Sequence, residues 1–173
     1  MTDTQINILK AAIDWTKAEM FSSAFFALFG IMFLLASFGF WQFGKTDMAK
    51  AFVIPLLVVG GLLFILGIGL LIPNQLRLSN FPTAFNADGA AFVASEIARV
   101  DKTMNGYDNA IFRIIPLIIA VSAVLIMILD HPVWRASLIT VIAMMAVILL
   151  VDINANARLE GYKTHLLSAK QDL

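Results

Sequence analysis

The chain has 173 residues, 60% of them hydrophobic and only 14% charged, and it contains no cysteine. Twelve Lys and Arg balance twelve Asp and Glu, so net charge points to neither nucleic acid nor an acidic partner. The missing cysteine excludes disulfides, thiolate catalysis and zinc–sulfur sites.

A soluble domain is nearer half apolar and about a quarter charged. Here the apolar excess is concentrated in four runs, which is the pattern of a membrane protein. The chain opens on a segment carrying Asp3, Lys10, Asp14, Lys17 and Glu19. Within it Ile6, Leu9, Ile13 and Met20 share one helical face, which predicts an amphipathic helix over residues 4–20 with Trp15 as an anchor at the headgroups. The first apolar run, 21–41, is too long for a signal h-region and has no A-x-A site, so an uncleaved span is expected. A short polar connection, 42–50, leads to the second run, 51–72, which carries Gly60, Gly61, Gly67 and Gly69. Small residues let membrane helices approach closely. These four glycines are read either as packing positions inside one bundle or as the seam of a homo-oligomer.

Residues 73–110 are more polar. In them Ala90, Val93, Ile97, Val100 and Met104 form a stripe, with Asp88, Ser95, Glu96, Arg99 and Lys102 on the other side. The spacing predicts a helix over 85–104, with Asn105-Gly106 as its stop. The third run is 111–129, the turn Asp130-His131-Pro132 follows, and the fourth run is 133–151. No break signal separates that run from the tail. A helix over 152–168 is expected, with Ala155, Leu159, Tyr162 and Leu166 spaced 4, 3, 4 as a heptad-like seam. The stripes are read as packing on the membrane or on one another, or as docking surfaces for a partner.

Each run has about 19–22 residues, enough to cross a hydrocarbon core about 30 Å thick as a helix. In lipid such runs are helical, because a free backbone group finds no partner there. The expected fold is all-α: a single domain, residues 1–173, built as a four-helix transmembrane bundle of two consecutive hairpins with amphipathic inner helices and a C-terminal helical extension. Basic residues favour one face. Lys10, Lys17, Arg77, Arg99, Lys102, Arg113, Arg158, Lys163 and Lys170 stand against Lys45, Lys50 and Arg135. The positive-inside rule then places both termini in the cytoplasm, in a bilayer of the bacterial inner-membrane type. Trp41 and Trp134 fall at the outer ends of their spans, as an aromatic belt requires.

Positions 22–40, 51–72, 114–129 and 136–151 hold no Asp, Glu, Lys, Arg or His. Intramembrane ionisable groups mark proton relays and ion paths, so a proton-coupled carrier is not expected, and neither is haem ligation within the bilayer. Ser22, Ser23, Ser37, Ser122, Ser137 and Thr140 remain as pore-lining hydroxyls or as helix hydrogen-bonding groups. Pro55 and Pro116 lie about one turn into their spans, where they are tolerated or kink the helix. Charges gather instead at the inner borders, at Glu19, Arg113 and Asp152. They are read as an ion-pair cluster holding helix ends together, or as a headgroup or substrate site. Of the two histidines, His131 is read as turn chemistry and His165 as solvent-exposed.

No catalytic, metal or cofactor motif is expected from these residues. The expected function is a non-enzymatic polytopic membrane protein acting through protein–protein interaction, as an accessory, assembly or immunity-type subunit. The partner is another membrane protein or a second copy of the chain. The alternative is a homo-oligomeric channel or transport subunit, in which a ring of subunits supplies the pore.

Overall fold

A computed structural model describes the backbone of residues 3–171 and the side chains of residues 6–168; the side chains of Asp3 and Lys170 lie outside that range. The elements are α1 (Asp3–Phe43), α2 (Asp47–Ala51), α3 (Val53–Ala87), α4 (Gly89–Asn109), a π turn (Ala110–Ile114), α5 (Ile115–Ile128) and α6 (Pro132–Gln171). The described chain is 95% helical, without strands. Four helical stretches are long and apolar enough to cross a membrane: Ile6–Phe43, Asp47–Ala87, Gly89–Ile128 and Pro132–Ser168. The protein is therefore a multi-pass membrane protein of the expected fold class.

Each stretch has 37–41 residues. At 1.5 Å per residue that is about 60 Å, twice the thickness of a bilayer core. The apolar run fills one half of each helix. The other half projects past the membrane on the side that carries both termini, where the four projecting halves pack together.

The predicted elements thus merge. The helix expected at 4–20 and the span 21–41 are one helix, since nothing breaks the chain between Met20 and Phe21. α3 does not end near residue 72 but runs through Pro73 and Pro82 to Ala87. Each proline removes one helical hydrogen bond, and packing along the whole length of α3 outweighs the loss. The break comes at Asp88, whose backbone is extended (φ −157°, ψ 100°) and whose Oδ1 accepts from the Ala91 N–H at 2.9 Å. That N-cap starts α4 at Gly89 rather than at 85. Phe85 therefore belongs to α3. It meets Phe92 edge-to-face at 5.4 Å, as Phe81 does from one turn earlier, and the three rings close the α3–α4 corner.

The expected stop at Asn105-Gly106 is also overturned. A glycine ends a helix by adopting a left-handed conformation, and no glycine here has positive φ. α4 instead passes into the π turn, where the Ile115 N–H reaches back five residues to Ala110 O. Pro116 cannot donate the bond that would continue regular α-helix across this point, and the wider turn absorbs the mismatch.

The two halves of the molecule have separate cores. In the projecting half Ile8, Ala12, Trp15, Phe81, Phe85, Phe92, Val93, Val100, Leu159, Tyr162 and Leu166 are buried together, drawn from α1, α3, α4 and α6. Water surrounds this half, so the hydrophobic effect stabilises it in the ordinary way. In the membrane half the clustered core is smaller, with Phe26, Val59, Leu63 and Val151 buried together. Lipid is as apolar as these side chains, so close contact rather than water exclusion holds that part together.

The closest membrane contact is between α1 and α3. A Cβ added at Gly60 would stand 2.9 Å from Gly30 O, and one at Gly67 would stand 2.5 Å from Ala27 N. Ser37 crosses the same interface, donating to Val53 O at 2.7 Å. The four glycines of the second span thus separate into two sets. Gly60 and Gly67 lie in the α1–α3 seam, whereas Gly61 and Gly69 have nothing within 4 Å of an added Cβ. α6 packs on both α1 and α5. α5 stands at the edge, packed on α6 and with only Ile115 and Ser122 buried.

Candidate polar site at the inner border

The projecting bundle contains a buried charge that the helix pattern hid. Glu96, expected on the polar face of its helix, is only 5% exposed. It lies three residues after Val93 and four before Val100, so it sits on their stripe and not opposite it. Arg99, one turn on, donates to it through two guanidinium nitrogens, with Nε at 3.0 Å from Oε1 and a second, closer contact to Oε2. Tyr162 of α6 donates its hydroxyl to the same Oε2 at 2.9 Å. Burial raises the Tyr162 phenol well above its usual range, and the neighbouring Glu96 charge adds to that.

Trp15 completes the group. It was expected to anchor α1 at the headgroups, but it is 7% exposed and stacks on Tyr162, with ring centroids 5.1 Å apart and planes 9° from parallel. The Arg99 guanidinium lies 4.4 Å from the indole centroid, a cation–π contact. The buried face of α1 is accordingly Ile8, Ala12, Trp15 and Thr16. The expected stripe of Ile6, Leu9, Ile13 and Met20 lies around its edge, with Ile6 exposed. The buried face includes the small Ala12 and the polar Thr16, which an apolar pattern passes over. The signal that would have found it is the 3–4 spacing of Ile8, Ala12, Trp15 and Glu19.

A second polar group lies nearer the membrane. Of the expected trio, Glu19 and Asp152 are neighbours and Arg113 is not part of the set. The Arg113 side chain is exposed and forms no ion pair among the described residues. It lines a surface hollow with Asn105, Asp108, Asn109 and Phe112. Arg158 takes its place. Its guanidinium stands 3.8 Å from Glu19 Oε1 and donates a short hydrogen bond to Ser22 Oγ. The contact to Glu19 is coulombic and too long for a hydrogen bond.

Both carboxyl groups lie just outside the apolar spans. Burial pushes Asp152 up to about 6, and the Glu19 charge contributes. Burial also raises Glu19, against the opposing pull of Arg158 and Arg99. The nearby Tyr107 phenol is raised by burial and by these two acids. Trp15 Nε1, Thr16 Oγ1, Glu19 Oε1, Asn156 Oδ1 and Arg158 Nε are buried here without a protein hydrogen-bond partner. All five come from one stretch of α1 and the facing stretch of α6. Two are donors, two are acceptors and one is a hydroxyl, a set that a few ordered waters satisfy.

No family model, curated protein or solved structure matches this chain. The geometry alone must therefore indicate what the site does. Glu96 is held by three hydrogen bonds, so the upper group locks α4, α6 and α1 together. The lower group is looser: Arg158 stands in coulombic contact with Glu19 alone, and burial beside the Glu19 charge lifts the Asp152 carboxyl to about 6. Among the described residues no three His, Cys, Asp or Glu side chains converge as a metal set.

The remaining expected positions fall as follows. Ala155, Leu159, Tyr162 and Leu166 are each 4% exposed or less, all turned into the chain's own core. Lys163 fixes α6 to α4 through Asp101 at 2.6 Å. His131 accepts from the Val133 N–H at 3.3 Å through Nδ1, and Asp130 pairs with Arg135 at 2.7 Å. Asp130 and His131 thus serve the turn separately. Ser23 and Thr140 both donate to carbonyls one turn back in their own helices.

Proposed function

We propose that the protein acts without catalysing a reaction, as an accessory, assembly or immunity-type subunit that docks another membrane protein against its spans. The observation that supports this best is the one-sided packing of α5. Of the most apolar part of the stretch Gly89–Ile128, which α5 closes, only 17% is buried, and Leu117, Val121, Val124, Met127 and Ile128 of α5 are exposed. The projecting bundle contrasts with it, because its seam residues are already covered by the chain itself. A surface left for a partner is therefore in the membrane and not in the tail. The positive-inside balance supports a cytoplasmic bundle and an inner-membrane setting of the bacterial type.

Site-specific photo-crosslinking from Val121 and Val124 tests the proposal, with Ser122 as the buried control. Discrete adducts to one membrane protein from the exposed positions alone are the expected result. Labelling of lipid only, at every exposed position, would contradict it. An adduct at twice the chain mass would replace the foreign partner by a second copy, the arrangement that a homo-oligomeric channel needs.

A further inference from the structure

On the far side of the membrane half, α1, the start of α3 and α6 leave a groove of about 540 Å³ between them. Its α1 wall runs from Phe29 to Phe40, and its opposite wall contains Ala143, Ala146 and Val147 of α6. Every lining residue is apolar except Thr140. The Thr140 hydroxyl already donates to Ala136 O at 2.8 Å, so the groove offers no free polar group to a hydrophilic solute.

Two features indicate what fits. The first is depth. Phe29 to Phe40 rises about 16 Å along the helix, and one leaflet of a bilayer core is about 15 Å deep. The groove thus begins near the middle of the span 21–41 and ends at its Trp41 border, crossing a single leaflet. The second is charge. At that border lies a second hollow, which shares Ala36 and Phe40 with the groove and is otherwise lined by Gly39, Phe43, Gly44, Lys45, Thr46 and Ala49. Lys45 is the one charged residue lining it. Among the described residues Lys45, Lys50 and Asp47 form no ion pair, while Asp130 and Arg135 neutralise each other. The rim is therefore net positive at the level where lipid phosphates lie, as Trp41 and Trp134, both exposed at this border, indicate.

We infer that this groove seats one anionic phospholipid, with an acyl chain along Phe29–Phe40 and the headgroup phosphate at Lys45. Apolar length and basic rim are arranged in the order that such a lipid presents them. A transmembrane segment of a partner would fill the apolar part but leave Lys45 without a counter-charge.

The test is native mass spectrometry of the purified chain, taken from nanodiscs of phosphatidylglycerol in phosphatidylcholine. One phosphatidylglycerol should remain bound to each protein. Ala146→Trp, which fills the groove from an exposed wall position, should abolish retention. Lys45→Glu lies outside the helices and should leave the fold and the thermal midpoint intact. It should lower the preference for phosphatidylglycerol over phosphatidylcholine by at least about fivefold, the loss expected for removing one lysine at a membrane surface, since the new carboxylate adds repulsion. Three results would overturn the inference: loss of all lipid from the wild type, unchanged retention in both variants, or a dimer whose contact occludes the groove.

Discussion

At the scale of single residues, the two polar groups of the projecting bundle respond differently to substitution. Glu96 and Arg99 are almost fully buried, so Glu96→Ala leaves a guanidinium stranded and should cost about 3–5 kcal/mol, as for other broken buried pairs. Tyr162→Phe removes one hydrogen bond while Arg99 keeps its two, and should cost only about 1 kcal/mol. Thermal unfolding in a fixed detergent ranks the two variants. A Glu96→Ala variant as stable as the wild type would show that the pair does not hold the bundle. Asp152 gives a pH dependence with a definite sign. Its folded-state carboxyl, at about 6, lies above its ordinary 3.8, so the folded protein binds the proton more tightly than the unfolded chain does. Between those two values stability falls as pH rises, and above about 6 the loss is complete. Glu19 shifts in the same direction. The wild type should therefore unfold at a higher temperature at pH 5 than at pH 7.5. Asp152→Asn should gain stability at pH 7.5 and show a flatter profile, whereas a wild-type midpoint independent of pH over that window would contradict the burial of this acid. Arg113→Ala should change little, because its side chain is exposed. Arg158→Ala should cost more, since it strands Glu19 and Ser22.

At the scale of elements, the α1–α3 seam depends on the absence of three side chains, at Gly30 of α1 and at Gly60 and Gly67 of α3. Gly67→Leu and Gly60→Leu place atoms where the backbone of α1 already lies, and no flexible neighbour can move aside. Both should lower yield and thermal midpoint sharply, while Gly61→Leu and Gly69→Leu should fold as the wild type does. Equal behaviour of the four variants would show that the helices are not packed at this distance. The seven-residue spacing of Gly60 and Gly67 was legible in the sequence, because it puts them on one helical face. That Gly61 and Gly69 face away follows only once α1 is placed. The helix ends were less legible. Proline and Asn-Gly are strong local break signals, yet α3 runs through Pro73 and Pro82, and α4 runs through Gly106. Local signals lost because long helices gain contact along their whole length, and the sequence does not reveal which partner supplies that contact. Asp88 did end a helix, as a short polar side chain able to cap the next one. Glu96 was misread for a related reason. A charged residue is assigned outward by default, and the arginine that makes its burial tolerable comes three residues later in the same helix.

At the scale of the whole molecule, the four apolar runs and their helical state were legible because lipid leaves a single backbone a small choice of structures. The projecting bundle was legible only in part. Its seam on α6 follows from a 4, 3, 4 spacing, but the residues that cover that seam come from three distant segments. The central claim is a molecule in two storeys: an apolar half inside the bilayer, and a water-exposed four-helix half on the side of the termini. Single-cysteine variants at Asp14, Thr46, Ala90 and Glu160, all exposed, test this most directly in a chain with no native cysteine. A thiol reagent that cannot cross the membrane, applied to one face of sealed vesicles, is the probe. Positions 14, 90 and 160 should react together from one side, and position 46 only from the other. Reaction of 46 and 90 from the same side would contradict the account.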